Sequence, residues 1–545
     1  MIKYSQLLPI LFLICAALWS MRALFHPGFY TSHDGWHQVA RLYHFDQATR
    51  DGQFPPRWAG HLMNGFGYPI FIFSYHLPWW LAEPLVLVGM SIFDAIKFVF
   101  FVTFVLSGLP MYFWISEMWG RRAGLISAFL YLFTPYRFAN IFVRANIGEA
   151  VSFLFIPLIF WGFYRLHKKI SLANILLTAV GVAGCLLSHI MIVILFAIPG
   201  FLYTAGLFIK VKTRGKFLGA ALVSALLGIG ISAYYLLPAI VYKPLTVFTE
   251  RYHNLYQNYF TPLSKLIYSP WGYGAIGTAG EMSRQVGLVL WGVSLLAIII
   301  VFLNLGLKKN KLANLIGIIF IASFFISIYL MIKESLPAWK LIEPFALLDF
   351  PTRFLAVTTF VGSVLAGFII NSLSGKLQTV TALLLITAAL VTNRHHLQVN
   401  QYTDIPLSLY VDSELSTNTD DEYLPKWVDR TYARQVIPLV NGDGIKVSDL
   451  TQNSQAIEFS YTSSVANSAA IHHMYFPGFI YLLDQKQLPL SKSGPGGISI
   501  QLPQGIHQVY LRFKPTTIMR VGEFITFISL IVVSIGLLKI KAKSL

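Results

Sequence analysis

Ala95 to Tyr136 read AIKFVFFVTFVLSGLPMYFWISEMWGRRAGLISAFLYLFTPY: two apolar runs, 95–116 and 121–136, with Arg121-Arg122 at the join. Each run approaches the length that a bilayer requires of a spanning helix, and paired arginines at the join belong at a membrane surface. Working outward in both directions, comparable runs recur near 7–25, 150–165, 171–188, 190–209, 217–238, 286–307, 312–332, 353–372, 377–393 and 518–538. Composition agrees, with 55% hydrophobic and only 12% charged residues and a mean hydropathy of +0.61. The fold class is therefore an all-α polytopic membrane domain of about 12 transmembrane helices. The first run, behind Met1-Ile2-Lys3, is read as retained, because no small-residue cleavage pattern precedes Arg22.

The stretch 69–90 is almost as apolar, but Pro69, Pro78 and Pro84 interrupt it. Each proline removes a backbone donor that lipid cannot replace, so the stretch reads as interfacial or re-entrant. Positive charge supports that choice. With twelve spans, Lys3, Arg121-Arg122, Arg165/Lys168/Lys169, Lys210/Lys212/Arg214/Lys216, Lys308/Lys309/Lys311, Lys376 and Lys539/Lys541/Lys543 all fall on one side. That side is the cytoplasm by the positive-inside rule, and both termini lie there. The net charge of +17 is thus a topology signal, and nucleic acid is excluded as a partner. The two cysteines, Cys15 and Cys185, both lie in apolar runs, so neither a disulfide framework nor a cysteine zinc site is expected.

Regions 26–94, 137–149, 239–285 and 333–352 fall on the opposite, extracytoplasmic face. From Arg394 the composition turns to Ser, Thr, Asn, Asp and Gln, with short β-rich runs such as Ala456–Tyr461, Phe479–Leu483, Ile498–Leu502 and His507–Phe513 between turn signals. The expected organisation is a transmembrane domain over 1–393, a β-sandwich-like extracytoplasmic domain over 394–517, and a last helix with a basic tail over 518–545.

Ionisable groups concentrate in the first extracytoplasmic loop, between His33 and Trp58. Charge beside hydrocarbon is costly unless paired or wetted, so such a concentration marks a site. Gly35 to Arg50 has the spacing of an amphipathic helix along the membrane surface, with His37, Arg41, His44 and Gln47 opposite Trp36, Val39, Ala40 and Tyr43. Asp34 immediately precedes it, at headgroup depth. There it can act as a general base on an acceptor hydroxyl, or ligate a metal, and it can equally cap the helix. His33, His37, Arg41, His44 and Asp46 are the supporting and acceptor-positioning candidates. The three histidines are not spaced as a tight zinc site; a loosely held divalent cation, Mg or Mn, stays open, with Asp34 as its one candidate ligand.

In the second extracytoplasmic loop, Arg137 and Arg144 are candidates for a phosphate, which suits a planar guanidinium. Arg144 and Glu149 can alternatively form a simple ion pair. Arg353, in Asp349-Phe350-Pro351-Thr352-Arg353-Phe354, opens a span from the same face and is the third phosphate candidate, with snorkelling as its alternative. Glu149, and His189 at the end of another span there, are further supporting and acceptor-positioning candidates. The aromatics of 239–285 suit sugar stacking or an ordinary interfacial belt.

His33-Asp34-Gly35-Trp36-His37, Gly52 to Trp58, Gly65-Phe66-Gly67-Tyr68-Pro69, Pro135-Tyr136-Arg137 and Arg144 to Glu149 together resemble the bacterial membrane family labelled "6-pyruvoyl-tetrahydropterin synthase related". Phe350 to Leu355, Glu422-Tyr423-Leu424-Pro425 and Tyr475 to Phe479 also resemble the YfhO-like membrane proteins. The pterin label implies no pterin chemistry in these residues. Both families are similar in layout to the GT-C superfamily, and that resemblance implies several things. The activity would be sugar transfer from a polyprenyl-phosphate donor to a glycan or lipid acceptor in the cell envelope, within a bacterial inner membrane. Asp34 would be the catalytic residue, 35–50 and 69–90 the interfacial helices, and the arginines would reach the lipid phosphate. The sequence departs from the GT-C pattern where an adjacent acidic pair is common, since Gly35 follows Asp34; a single base is then expected. The competing classes are a flippase of lipid-linked saccharides, though no internal repeat is visible, and a non-catalytic envelope-assembly protein.

Overall fold

A computed structural model describes residues 4–306 and 311–542. Of the basic positions used for topology, Lys3, Lys308, Lys309 and Lys543 lie outside the described residues. Among the described residues, eight helices are long and apolar enough to cross a membrane singly, and one bent pair, Arg121–Leu132 with Pro135–Arg144 at 47°, makes up to nine. Three shorter apolar helices, Leu7–Ser20, Leu172–Ser188 and Ala197–Lys210, occupy the other expected runs. The shorter lengths have local causes. The run 121–136 bends at Phe133-Thr134, just before Pro135, and the runs meeting at His189 end on an extended residue with φ −166°.

The helix that opens at Pro351–Phe354 and continues over Leu355–Ser372 is apolar on all sides and 94% buried, whereas Gly375–Asn393 and Thr517–Ala542 are 6% and 11% buried. A helix without a polar face belongs at the centre of a bundle. Phe360 on this helix packs against Phe160 and Trp114, at ring separations of 4.6 and 5.7 Å. Tyr203 and Phe320 complete the aromatic layer. The proline-rich stretch forms two short helices, Ile70–Phe73 and Leu77–Leu87, neither long enough to span.

The β-rich unit has two antiparallel sheets. One orders 440–441, 467–474, 497–502 and 491–492; the other orders 445–452, 456–463, 505–513, 479–483 and 486–488. Alternate residues face the interior, as the period of a half-buried strand requires: Ile457, Phe459 and Tyr461 on one strand, Val509, Leu511 and Phe513 on its neighbour. The sheets begin only at Val440. Before them the chain touches both parts: Tyr402–Thr403 pairs with Phe29–Tyr30 and Thr246 bridges to Pro425, while Trp427 donates to the Tyr475 carbonyl and Tyr432 packs on His472 of the β-rich unit.

Trp58 and Arg57 fasten the two parts together. Trp58 is fully buried among His473, Phe476, Phe479 and Phe513 of the β-rich unit. Arg57 is buried over the Tyr234 ring and bonds Glu523 of the last helix at 3.0 Å.

Candidate functional site

The first-loop helix forms over Gly35–Arg50, with Asp34 at its N-cap position. Its environment differs from the expected one. Gln38, Arg41, His44 and Asp46 are buried along with Val39, Ala40 and Leu42, so this is not a helix lying half in water. The segment 411–418 covers the polar face. His37 pairs with Glu414 at 2.7 Å, Trp36 donates to Ser413 at 2.7 Å, and Arg41 donates to the Thr417 carbonyl at 2.5 Å and to Asn418 at 3.3 Å. A buried guanidinium needs such acceptors.

Asp34 does not act as a capping side chain: it makes no cap hydrogen bond, and its carboxylate accepts none from the described residues. Its backbone is held on the other side, by Asp34 N–H to the Arg144 carbonyl at 2.8 Å and His33 N–H to the Val143 carbonyl at 2.9 Å. The His33 ring bonds the Tyr273 carbonyl at 2.8 Å. Gly35 is required beside it, since a Cβ there would lie 2.2 Å from Ser32 Oγ and 2.8 Å from the Phe29 ring. No second acidic side chain fits at that position.

Arg144 ends a π-helical turn, Ala139–Arg144, and is followed by Ala145 in the left-handed region at φ 53°. Both features are uncommon and concentrate at functional sites. Asn146 then caps the helix Ile147–Lys168 by accepting from the Glu149 N–H at 3.0 Å. That fixes Glu149 in the first turn, where the helix dipole favours a carboxylate. Gly148 lets this helix end approach its neighbours: a Cβ would meet the Ser188 carbonyl at 2.6 Å and the Tyr75 ring at 2.7 Å.

Fully buried Glu149 collects three partners. Tyr136 donates to Oε1 at 2.5 Å, and Arg144 Nη1 donates to Oε2 at 2.9 Å and also to the Tyr136 hydroxyl at 2.9 Å. Arg353 Nη1 approaches Oε2 at 3.5 Å. Arg353 is gripped from behind by Asp349, Nε to Oδ1 at 2.5 Å and Nη2 to Oδ2 at 2.6 Å. Burial alone would raise the Asp349 carboxyl, but this guanidinium holds it below the usual carboxylate range. The His189 ring lies beside Arg353 and Glu149, 5.7 Å from the Tyr75 ring, and its buried Nδ1 has no partner.

The structure thus brings Asp34, Arg144, Glu149, Arg353 and His189 to one place. Asp34 interacts electrostatically with Arg144 and Tyr75. The arginines are not free cations, because each already faces a carboxylate. Nε and Nη2 of Arg144 and Nη1 of Arg353 nevertheless have no hydrogen-bond acceptor among the described residues. Arg137 reaches Glu149 only electrostatically: it is enclosed by Phe153, Phe104 and Tyr131 at 4.0, 4.9 and 5.4 Å and donates to Ser107 at 2.8 Å. Asp46 pairs with Arg50 at 2.7 Å; His33 and His37 have separate partners, and His44 has a buried Nε2 with none, so the three histidines do not converge. Among the described residues no three His, Cys, Asp or Glu side chains form a metal-binding group. Tyr75, Tyr136, Asp349 and Glu414 are parts of the arrangement that sequence reasoning did not single out. Asp349, four residues before Arg353, carried a readable charge-pair signal; Tyr75 and Glu414 carried none.

A family profile described as "6-pyruvoyl-tetrahydropterin synthase related domain; membrane protein" matches residues 73–401. An uncharacterised protein of Lactococcus lactis subsp. cremoris is 27% identical over 220 residues, covering 39% of this chain and 36% of the relative. Among solved structures, mycobacterial arabinofuranosyltransferase AftD aligns at TM-score 0.46 and 12% identity, over 73% of this chain and 27% of that one. The Archaeoglobus fulgidus oligosaccharyltransferase aligns at TM-score 0.42 and 13% identity, over 77% and 56%. The chain spans only about a third of its Lactococcus relative and a quarter of AftD.

Proposed function

The chain belongs to the 6-pyruvoyl-tetrahydropterin synthase related family of membrane proteins, and from that premise we propose that it transfers a sugar from a polyprenyl-phosphate donor to an extracytoplasmic glycan or lipid acceptor. One observation carries this reading: Asp34, a half-buried carboxylate with no hydrogen-bond partner, interacts electrostatically with Arg144, which retains unfilled N–H donors and shares Glu149 with Arg353. A free base opposite an anion-binding pair is what such a displacement needs.

In the proposed reaction Asp34 accepts the proton of the acceptor hydroxyl while that oxygen attacks the anomeric carbon. The bond from that carbon to the phosphate oxygen breaks, and its electron pair leaves with the polyprenyl phosphate. The remaining donors of Arg144 and Arg353 stabilise the charge that develops there, with inversion at the sugar. Glu149 and Asp349 set the two guanidiniums in place, and Tyr136 fixes Glu149. Bidentate recognition of phosphate is what a held guanidinium does best. A divalent ion bound to Asp34 would find no second protein carboxylate free of an arginine in this cluster, so the reading assigns each step to the protein's own groups. The proposed setting is a bacterial cytoplasmic membrane with both termini inside and the β-rich unit outside.

The test is reconstitution in liposomes with a panel of radiolabelled polyprenyl-phosphate hexoses and pentoses. Sugar release from the carrier that depends on Asp34 is the expected result. Movement of intact lipid between leaflets without release would replace this reading with a flippase.

A further inference from the structure

A cleft of about 560 Å³ opens beside the first-loop helix, away from the arginine cluster. Tyr43, His44 and Gln47 of the helix form one wall, His61 and Asn64 the second, and Asp412 and Glu414 the third. The Tyr43 hydroxyl, the Gln47 amide and the His61 ring have no hydrogen-bond partner among the described residues, and His44, only 4% exposed, has a buried Nε2 without one. Asn64 donates to the Arg434 carbonyl at 2.8 Å, leaving its own carbonyl oxygen open. The cleft therefore offers hydroxyl, amide and imidazole groups, donors and acceptors mixed, next to an aromatic ring.

Its electrostatics are opposite to those of the arginine cluster. Burial, and then the neighbouring His61, push His44 down to about 3, so that buried ring is neutral at physiological pH. No lysine or arginine lines the cleft, and its charged groups are the two carboxylates. A phosphate or other anion is disfavoured, whereas uncharged hydroxyl groups suit the lining. Position supplies the remaining argument. Asp34, His37, Arg41 and His44 follow one face of the helix, and at 1.5 Å per residue His44 lies about 15 Å from Asp34 along it. Glu414 belongs to the cleft and also bonds His37, one turn from Asp34.

We infer that this cleft binds uncharged sugar units of an oligosaccharide whose reacting end lies at Asp34. The inference rests on the transferase reading and gives its acceptor a chemical class: a neutral glycan of several units, held remotely from the reacting hydroxyl.

Full-length protein in nanodiscs is titrated with neutral tetrasaccharides of gluco, galacto, manno and rhamno configuration and with their sulfated counterparts, followed by calorimetry and saturation-transfer NMR. At least one neutral tetrasaccharide binds, and its sulfated form binds at least about tenfold more weakly. Tyr43→Ala and His61→Ala, the latter on an exposed loop residue, each weaken binding about tenfold, the loss expected of one ring or hydrogen-bonding contact. The inference is overturned if none of the neutral sugars binds, if the sulfated forms bind equally well, or if folded Tyr43→Ala and His61→Ala proteins bind like the parent. Binding without any sugar transfer would remove the transferase reading alone; transfer that ignores both cleft substitutions would remove the cleft alone.

Discussion

The backbone N–H of Asp34 donates to the carbonyl of Arg144 at 2.8 Å. The first and second loops are thereby joined through the main chain, which fixes the two backbone positions from which the carboxylate and the guanidinium project. Asp34→Asn should consequently abolish sugar transfer while changing folding stability by no more than about 0.5 kcal/mol, as for a side chain with no bond to lose. Thermal unfolding and transfer assays on the same preparation check this. A variant that keeps near-parental activity excludes Asp34 as the base.

Glu149 has a different fate on substitution, because it is wholly buried between Arg144, Arg353 and Tyr136. Removing one member of a buried ion pair leaves uncompensated charge and typically costs about 3–5 kcal/mol. Glu149→Ala is expected to lose stability on that scale, and Glu149→Gln less, since an amide oxygen still accepts from Tyr136 and Arg144. Unfolding in detergent ranks the variants; equal stability of Glu149→Ala and the parent would contradict the network.

Arg137 and Arg144 separate by kind of defect. Arg137 lies under three rings, and a lysine, lacking the planar guanidinium, cannot reproduce the stacking. Arg137→Lys should lose about 1–2 kcal/mol of stability with an unchanged donor KM. Arg144→Ala should raise the donor KM. An Arg137→Lys protein of normal stability with weakened donor binding would restore Arg137 to the phosphate site.

Glu83, 2% exposed and beside Asp46, is raised to about 7 by burial first and by that second carboxylate next. Its folded value exceeds its unfolded one, so the folded state binds the extra proton. The resulting stability is fully present below about pH 4.5 and is lost as pH rises through about 7. Glu83→Gln should abolish that slope, making the variant more stable than the parent at pH 8 by about 1–3 kcal/mol and nearly equal at pH 4.5. Unfolding measured across this range decides it; parallel curves for the two proteins would show that Glu83 does not titrate there.

The helix over 35–50 and the strands 479–483 and 507–513 were legible in sequence, because apolar spacing of 3.6 or 2 is a local property. The bend at Thr134-Pro135 and the break at His189 were not, since the hydropathy of both runs continues across them. What covers the first-loop helix was also hidden. His37 and Glu414 are separated by 377 positions, and no local pattern announces such a partner. The amphipathic reading therefore put water where the chain puts residues 411–418. Asp34 and the arginines could be named from residue type and side of the membrane. That Glu149 and Asp349 already grip those arginines follows from tertiary packing alone.

The clamp formed by Arg57 and Trp58 imposes an order on biosynthesis. These residues leave the ribosome early, yet Trp58 waits for strands ending at Phe513 and Arg57 for Glu523. At roughly 5–20 residues per second, that interval is about 25–90 s. Throughout it the nascent first loop carries a buried-type arginine and indole with nothing to receive them. A copy truncated before residue 479 therefore lacks Phe479 and Phe513 around Trp58 and Glu523 beside Arg57, and leaves an indole and a guanidinium without their partners.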